Sequence, residues 1–109
     1  MTAIGRDEWP AITMIIFRNY QWGAEKRNTT LWFDDNFVGT ELDRNVSYAG
    51  ISKACGLEGV QATNKDDLHA QLSAAIKPQM EEGNTTFIDV MTNQELGDTV
   101  RSDAMKNAV

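Results

Sequence analysis

The chain has 109 residues, 41% hydrophobic and 24% charged, with a net charge of −6 and a pI near 4.6. These values fit one folded domain and exclude disordered, collagen-like and low-complexity classes. A single cysteine, Cys55, rules out an intrachain disulfide or a cysteine zinc cluster, and a single histidine, His69, rules out a histidine-rich metal site. The acidic balance speaks against a nucleic-acid partner, which calls for a basic face.

Residues 1–10 contain Arg6, Asp7 and Glu8 and no apolar stretch of signal-peptide length. Residues Met1 to Asp7 read as the last turns of a helix, so further chain is expected before Met1. The longest apolar run, Ile12 to Phe17, is far short of the roughly 20 residues that span a bilayer. The N-x-[ST] matches at Asn28, Asn45 and Asn84 read as chance, and the expected compartment is cytoplasmic, with no membrane partner.

Ile12 to Phe17 shows no alternation, which predicts a strand buried on both faces, central in a parallel sheet and entered through Pro10. Arg18 to Gly23 then reads as a turn-prone loop. From Ala24 to Asn45 the apolar residues Leu31, Trp32, Phe33, Phe37 and Val38 keep no period. This stretch is expected to be a long excursion rather than a regular element. Tyr48 to Cys55 predicts a short helix capped by Ser47 and ended by Gly56. A strand follows over Gly59 to Ala62. A capping-box start at Thr63-Asn64-Lys65-Asp66 then opens a helix with Leu68, Leu72, Ala75, Ile76 and Met80 at helical spacing. Pro78 should break or kink it, and Glu82-Gly83-Asn84 should stop it. Thr85 to Val90 predicts the last strand. Strands alternating with helices define an α/β class: an open parallel sheet with flanking helices and right-handed crossovers.

Ligands of such sheets bind beyond the carboxyl ends of the strands. The stretch after Phe17 is therefore the place to look for chemistry. Asn19 and Gln21 offer a side-chain amide oxygen and a backbone carbonyl two residues apart. Both are hard neutral oxygens of the kind Mg²⁺ accepts beside a carboxylate and phosphates. Gly23 would let a phosphate approach the backbone. On these grounds alone, a simple turn through Asn19 and Gly23 is the favoured reading.

The string Phe17-Arg18-Asn19-Tyr20-Gln21-Trp22-Gly23-Ala24-Glu25-Lys26-Arg27-Asn28 resembles a segment of the thiamine-diphosphate-dependent enzymes, specifically their sulfoacetaldehyde acetyltransferase branch. The resemblance continues through Phe37 to Asp43, Tyr48 to Ile51 and Asn93 to Asp98, and ends at Arg101 and Asp103 to Met105. It implies that residues 1–109 form the C-terminal portion of a thiamine-diphosphate-binding domain. It also implies that the cofactors are thiamine diphosphate and Mg²⁺.

By the same resemblance, Asn19 matches the second residue of the family's Asn pair and is an Mg²⁺ ligand through its side-chain oxygen. Gln21 is an Mg²⁺ ligand through its carbonyl, and Trp22 and Gly23 lie at the diphosphate. The first residue of that pair is Arg18 here. The family's Gly-Asp-Gly carboxylate has no counterpart in this sequence. This chain alone is therefore expected to be inactive. The whole enzyme is expected to be a cytoplasmic homo-oligomer that converts sulfoacetaldehyde and phosphate to acetyl phosphate and sulfite in taurine breakdown. The alternatives are another thiamine-diphosphate enzyme, of acetolactate-synthase type, or a non-catalytic interaction module.

Other residues weigh as follows. Arg18, Lys26 and Arg27 are cations suited to a phosphate or a sulfonate, or else solvated surface charges. Trp22 and Trp32 either wall a pocket or pack. His69 is expected on a helix surface and Cys55 in the core. Asp34-Asp35 reads as a solvated acidic turn, and Arg101 to Lys106 as a tail, docking or not.

Overall fold

The computed structural model describes Ile4 and residues 8–94. The chain divides into two compact units, one of Met1–Arg18 with Asn45–Thr92 and one of Asn19–Arg44 with Asn93–Val109. The expectations placed on Glu95 to Met105, on the Arg101 tail and on a helix end at residues 1–7 lie outside the described residues, Ile4 excepted.

The first unit is a three-stranded parallel sheet of β1 (Thr13–Arg18), β2 (Glu58–Ala62) and β3 (Thr86–Met91) in the order β1-β3-β2. β3 pairs with β1 from Thr13↔Thr86 to Arg18↔Met91, and with β2 from Glu58↔Thr86 to Ala62↔Val90. The class expected from the sequence, an open parallel sheet with flanking helices, is the observed one. The position of β1 is not as expected: among the described residues it is an edge strand, and β3 is central. Ile15 is 41% exposed and Phe17 66% exposed, because α3 (Lys65–Lys77) packs over β2 and β3 instead. Among the described residues, the run Ile12 to Phe17 is therefore not covered on both faces.

The core forms where period-2 strand positions meet that helix. Ala62, Ile88 and Val90 are buried together, with Val60, Leu68 and Leu72 packed against them. Ala75 joins the buried set, but Ile76 and Met80 are 59% and 76% exposed, so only the first part of the expected stripe is core. The helix stops at Lys77, immediately before Pro78. A π turn at Pro78–Glu82 follows and ends at Gly83 with φ +70°. The start of α3 lies one residue later than expected. Asn64 is the cap, its side chain accepting the Asp66 and Asp67 N–H groups, while the Asp67 carboxylate accepts from the Thr63 N–H. That carboxyl is held below its ordinary 3.8 by the Thr63 hydroxyl.

α2 (Tyr48–Ala54) covers the other face. Ser47 caps it by accepting from Gly50, and Gly56 leaves it at φ +83°, as the sequence indicated. Cys55 is its half-buried C-cap rather than a core residue. The helix sits directly on β2 because Gly59 has no side chain. A Cβ at Gly59 would lie 2.3 Å from both the Ala49 carbonyl oxygen and the Ser52 hydroxyl. Ser52 is fully buried and donates to Ala49 O at 2.8 Å, so the contact has no slack. Gly59→Ala is expected to cost about 1–3 kcal/mol or more by overpacking, read from the shift of the urea midpoint.

Candidate functional site

The second unit begins where β1 ends. Asn19 follows Arg18 directly, and Tyr20 next to it adopts the left-handed conformation at φ +59°. A non-glycine residue there costs about 1–2 kcal/mol. The chain bends here, and the half-buried Asn19 closes the bend: its Oδ1 accepts the Gln21 N–H at 3.3 Å. Arg44 lies over the Tyr20 ring, 5.0 Å from its centroid.

Gln21 is then pinned by an antiparallel bridge to Glu41. The bonds of that bridge come from its neighbours, Trp22 N–H to Thr40 O and Leu42 N–H to Tyr20 O, each 2.8 Å. In this type of pair the central residue's own N–H and C=O both point away from the partner segment. The Gln21 carbonyl therefore faces the side on which Asn19 Oδ1 takes the Gln21 N–H. Two hard neutral oxygens are thus brought to one side of the loop. The Gln21 side chain is buried: its Nε2 donates to the Gln94 carbonyl at 2.8 Å, while its Oε1 has no hydrogen-bond partner among the described residues.

Trp22 is the N-cap of α1 (Gly23–Trp32) and makes no side-chain cap, and Gly23 is the first helical residue. The first-turn N–H groups of a helix have no intrahelical acceptor, and the helix dipole adds positive potential there. The region from Ala24 onward, expected to be irregular, is therefore in part a ten-residue helix. The helix was hidden from the apolar pattern because it has no buried residue. Backbone hydrogen bonds define it, Phe33 N–H closing the last turn on Thr29 O, while the Thr29 and Thr30 hydroxyls turn back to the Glu25 and Lys26 carbonyls.

The three cations considered from the sequence are not equivalent. Lys26 is ion-paired with Glu41 and lies 5.1 Å from the Phe37 ring centroid. The bond from Lys26 holds the Glu41 carboxyl below its ordinary 4.5, and Gln94 Nε2 donates to the same carboxylate. Arg27 is half-buried on α1. Arg18 belongs to the sheet unit and is 6% exposed; its Nη2 lies 3.0 Å from Asp89 Oδ2. It is therefore a buried structural cation and not a solvated anion ligand. Trp22 and Trp32 are both more than half exposed, so neither packs in the described chain. His69 is exposed on α3, as expected. Asp34 and Asp35 are exposed with φ of +48° and +59°, and no cluster of three or more His, Cys, Asp or Glu suited to a metal occurs among the described residues.

Sequence reasoning overlooked Asp89, which is fully buried in the central strand. The signal was present: a carboxylate inside the apolar string Phe87-Ile88-Asp89-Val90 needs a cation. It also overlooked Thr40 to Leu42, whose backbone holds the loop. A cavity of about 320 Å³ in the sheet unit is lined by Glu58, Thr86, Pro78 and Glu82. Those residues include the amino ends of β2 and β3, and none of the candidate ligands lines it.

Two neutral oxygens on one side of a loop, followed at once by a helix N-terminus, make a donor set that fits Mg²⁺ and an anionic diphosphate. The parallel sheet of the first unit with its flanking helices is that of an α/β domain. The chain belongs to the thiamine pyrophosphate enzymes, C-terminal TPP-binding domain, whose family model matches residues 1–90. A sulfoacetaldehyde acetyltransferase of Roseovarius nubinhibens is 67% identical over 109 residues, which is 100% of this chain and 18% of the relative. One from Rhodobacter capsulatus is 62% identical, and a probable sulfoacetaldehyde acetyltransferase of Rhizobium meliloti 61%, over the same 100% of this chain and 18% of each relative. The chain thus spans 18% of the length of these curated relatives.

Proposed function

We propose that this chain acts as the C-terminal portion of the cofactor-binding domain of a thiamine-diphosphate-dependent sulfoacetaldehyde acetyltransferase. The observation that carries this reading is identity of 61–67% along all 109 residues to relatives of that name. The loop geometry supports it, because it supplies the oxygens and N–H groups that such a cofactor needs.

In this reading Asn19 Oδ1 and the Gln21 carbonyl hold Mg²⁺. The backbone N–H of Gly23, at the start of α1, receives the diphosphate beside Trp22, whose own N–H is held by Thr40 O; the helix dipole favours negative charge there. Bound thiamine diphosphate supplies the carbanion chemistry that breaks the carbon–sulfur bond of the substrate and carries its two-carbon unit. The residues of this chain supply position and charge: the Asx turn at Asn19, the bend at Tyr20 and the bridge to Glu41 fix the two oxygens before the metal arrives. The overall reaction takes sulfoacetaldehyde and phosphate to acetyl phosphate and sulfite. The complete protein is proposed to be a cytoplasmic homo-oligomer acting on these small molecules without nucleic acid or membrane. No described helix is long and apolar enough to cross a membrane.

The test is to supply the full-length protein with thiamine diphosphate, Mg²⁺, phosphate and sulfoacetaldehyde. Stoichiometric release of sulfite and acetyl phosphate is expected. Formation of acetolactate from pyruvate, with no sulfite from sulfoacetaldehyde, would replace the substrate and keep the cofactor.

A further inference from the structure

We infer that Arg18 is a positioning residue for the Mg²⁺ ligands Asn19 and Gln21, acting through a buried ion pair with Asp89. The inference rests on the metal reading above.

The chain passes between the two units at residues 18–19, 44–45 and 92–93. Within the sheet unit, Arg18 is tied to all of these points. It is itself the last residue before Asn19. Its Nη1 donates to the carbonyl of Val46, next to the second crossing, and its own carbonyl accepts the Thr92 N–H at 3.0 Å, at the third. Its Nη2 pairs with Asp89 Oδ2 at 3.0 Å and also reaches the Met91 sulfur. Its guanidinium lies over the Tyr48 ring, 5.5 Å from the centroid.

The arrangement uses what arginine alone offers: a planar fork that serves a carboxylate, a carbonyl and an aromatic face at once. The pair is nearly dry, at 6% and 0% exposure. A buried pair of this kind is weak evidence for stability, because apolar residues of similar volume often serve the fold as well. Fixing where the chain leaves β1 gives it a reason to be there. The residue immediately after that point carries the first metal oxygen, and the third carries the second.

The test measures Mg²⁺ binding by calorimetry to the full-length protein saturated with thiamine diphosphate. Three variants are compared with the parent: the double variant Arg18→Met/Asp89→Leu, Arg18→Lys and Asn19→Ala. The double variant removes both charges and keeps apolar volume, so it is expected to melt close to the parent. It should nevertheless bind Mg²⁺ about 10–100-fold more weakly, the usual effect of losing a group that orients a ligand. A double variant that melts normally and binds Mg²⁺ normally, while Asn19→Ala binds it weakly, would overturn the positioning role and leave the metal site standing. Unchanged affinity in Asn19→Ala would remove the metal reading itself, and this inference with it. If the double variant does not melt cooperatively, Arg18→Lys decides. That variant keeps the charge opposite Asp89 but loses the fork: weakened binding in the folded protein supports the role and unchanged binding overturns it.

Discussion

Asp89→Ala is expected to destabilise the protein by about 3–5 kcal/mol, the loss typical of removing one partner of a buried ion pair. Asp89 has no exposed surface and Arg18 only 6%. Removing the carboxylate leaves a guanidinium in a site that water does not reach, with the Val46 carbonyl and the Met91 sulfur as neutral partners. Those partners bring the expected value toward the lower end. The damage falls in β3, the strand that pairs with both others, so the loss should appear as one drop in the urea midpoint of the full-length protein and not as local fraying. A change below about 1 kcal/mol would mean that the pair is reached by water and behaves as a surface salt bridge.

Asn19→Ala is expected to separate metal binding from folding. The Asn19 side chain makes one long hydrogen bond, 3.3 Å to the Gln21 N–H, so its removal should cost no more than about 0.5–1.5 kcal/mol of stability. As a direct ligand it should cost more Mg²⁺ affinity than the ~10–100-fold usual for outer-shell partners. Mg²⁺ titration of the thiamine-diphosphate-saturated protein measures this, with a thermal melt as the control.

Much of the fold could be read from residue order. β3 was expected at Thr85 to Val90 and forms over Thr86–Met91, because a β-branched and aromatic run between Gly83 and a polar tail has few other outcomes. α2 carried both its signals, Ser47 in front and Gly56 behind, starting one residue after the first and stopping two before the second. The edge position of β1 could not be read, because an apolar run says how much surface needs cover but not which neighbour covers it. α1 escaped because its signals lie in its backbone bonds; its residues are at most half-buried, too little to leave an apolar stripe, and none is fully buried.

The candidate site divides in the same way. Asn19 and Gly23 announced a turn through their chemistry, and the resemblance singled out Asn19 and Gln21. The bridge that turns the Gln21 carbonyl toward the Asn19 side depends on Thr40 to Leu42, about 20 residues away, and local patterning carries no trace of such a pairing. The partner of Arg18 was hidden for the same reason. A lone Asp in an apolar strand shows that a cation is needed but not which one.

Asn19 and Gln21 are proposed to present their oxygens to one Mg²⁺. A crystal structure of the full-length protein with thiamine diphosphate and Mg²⁺ tests it most directly. Asn19 Oδ1 and the Gln21 carbonyl oxygen should each lie about 2.0–2.1 Å from the metal, with the diphosphate at the N-terminus of α1. A metal bound with neither oxygen coordinated would contradict it.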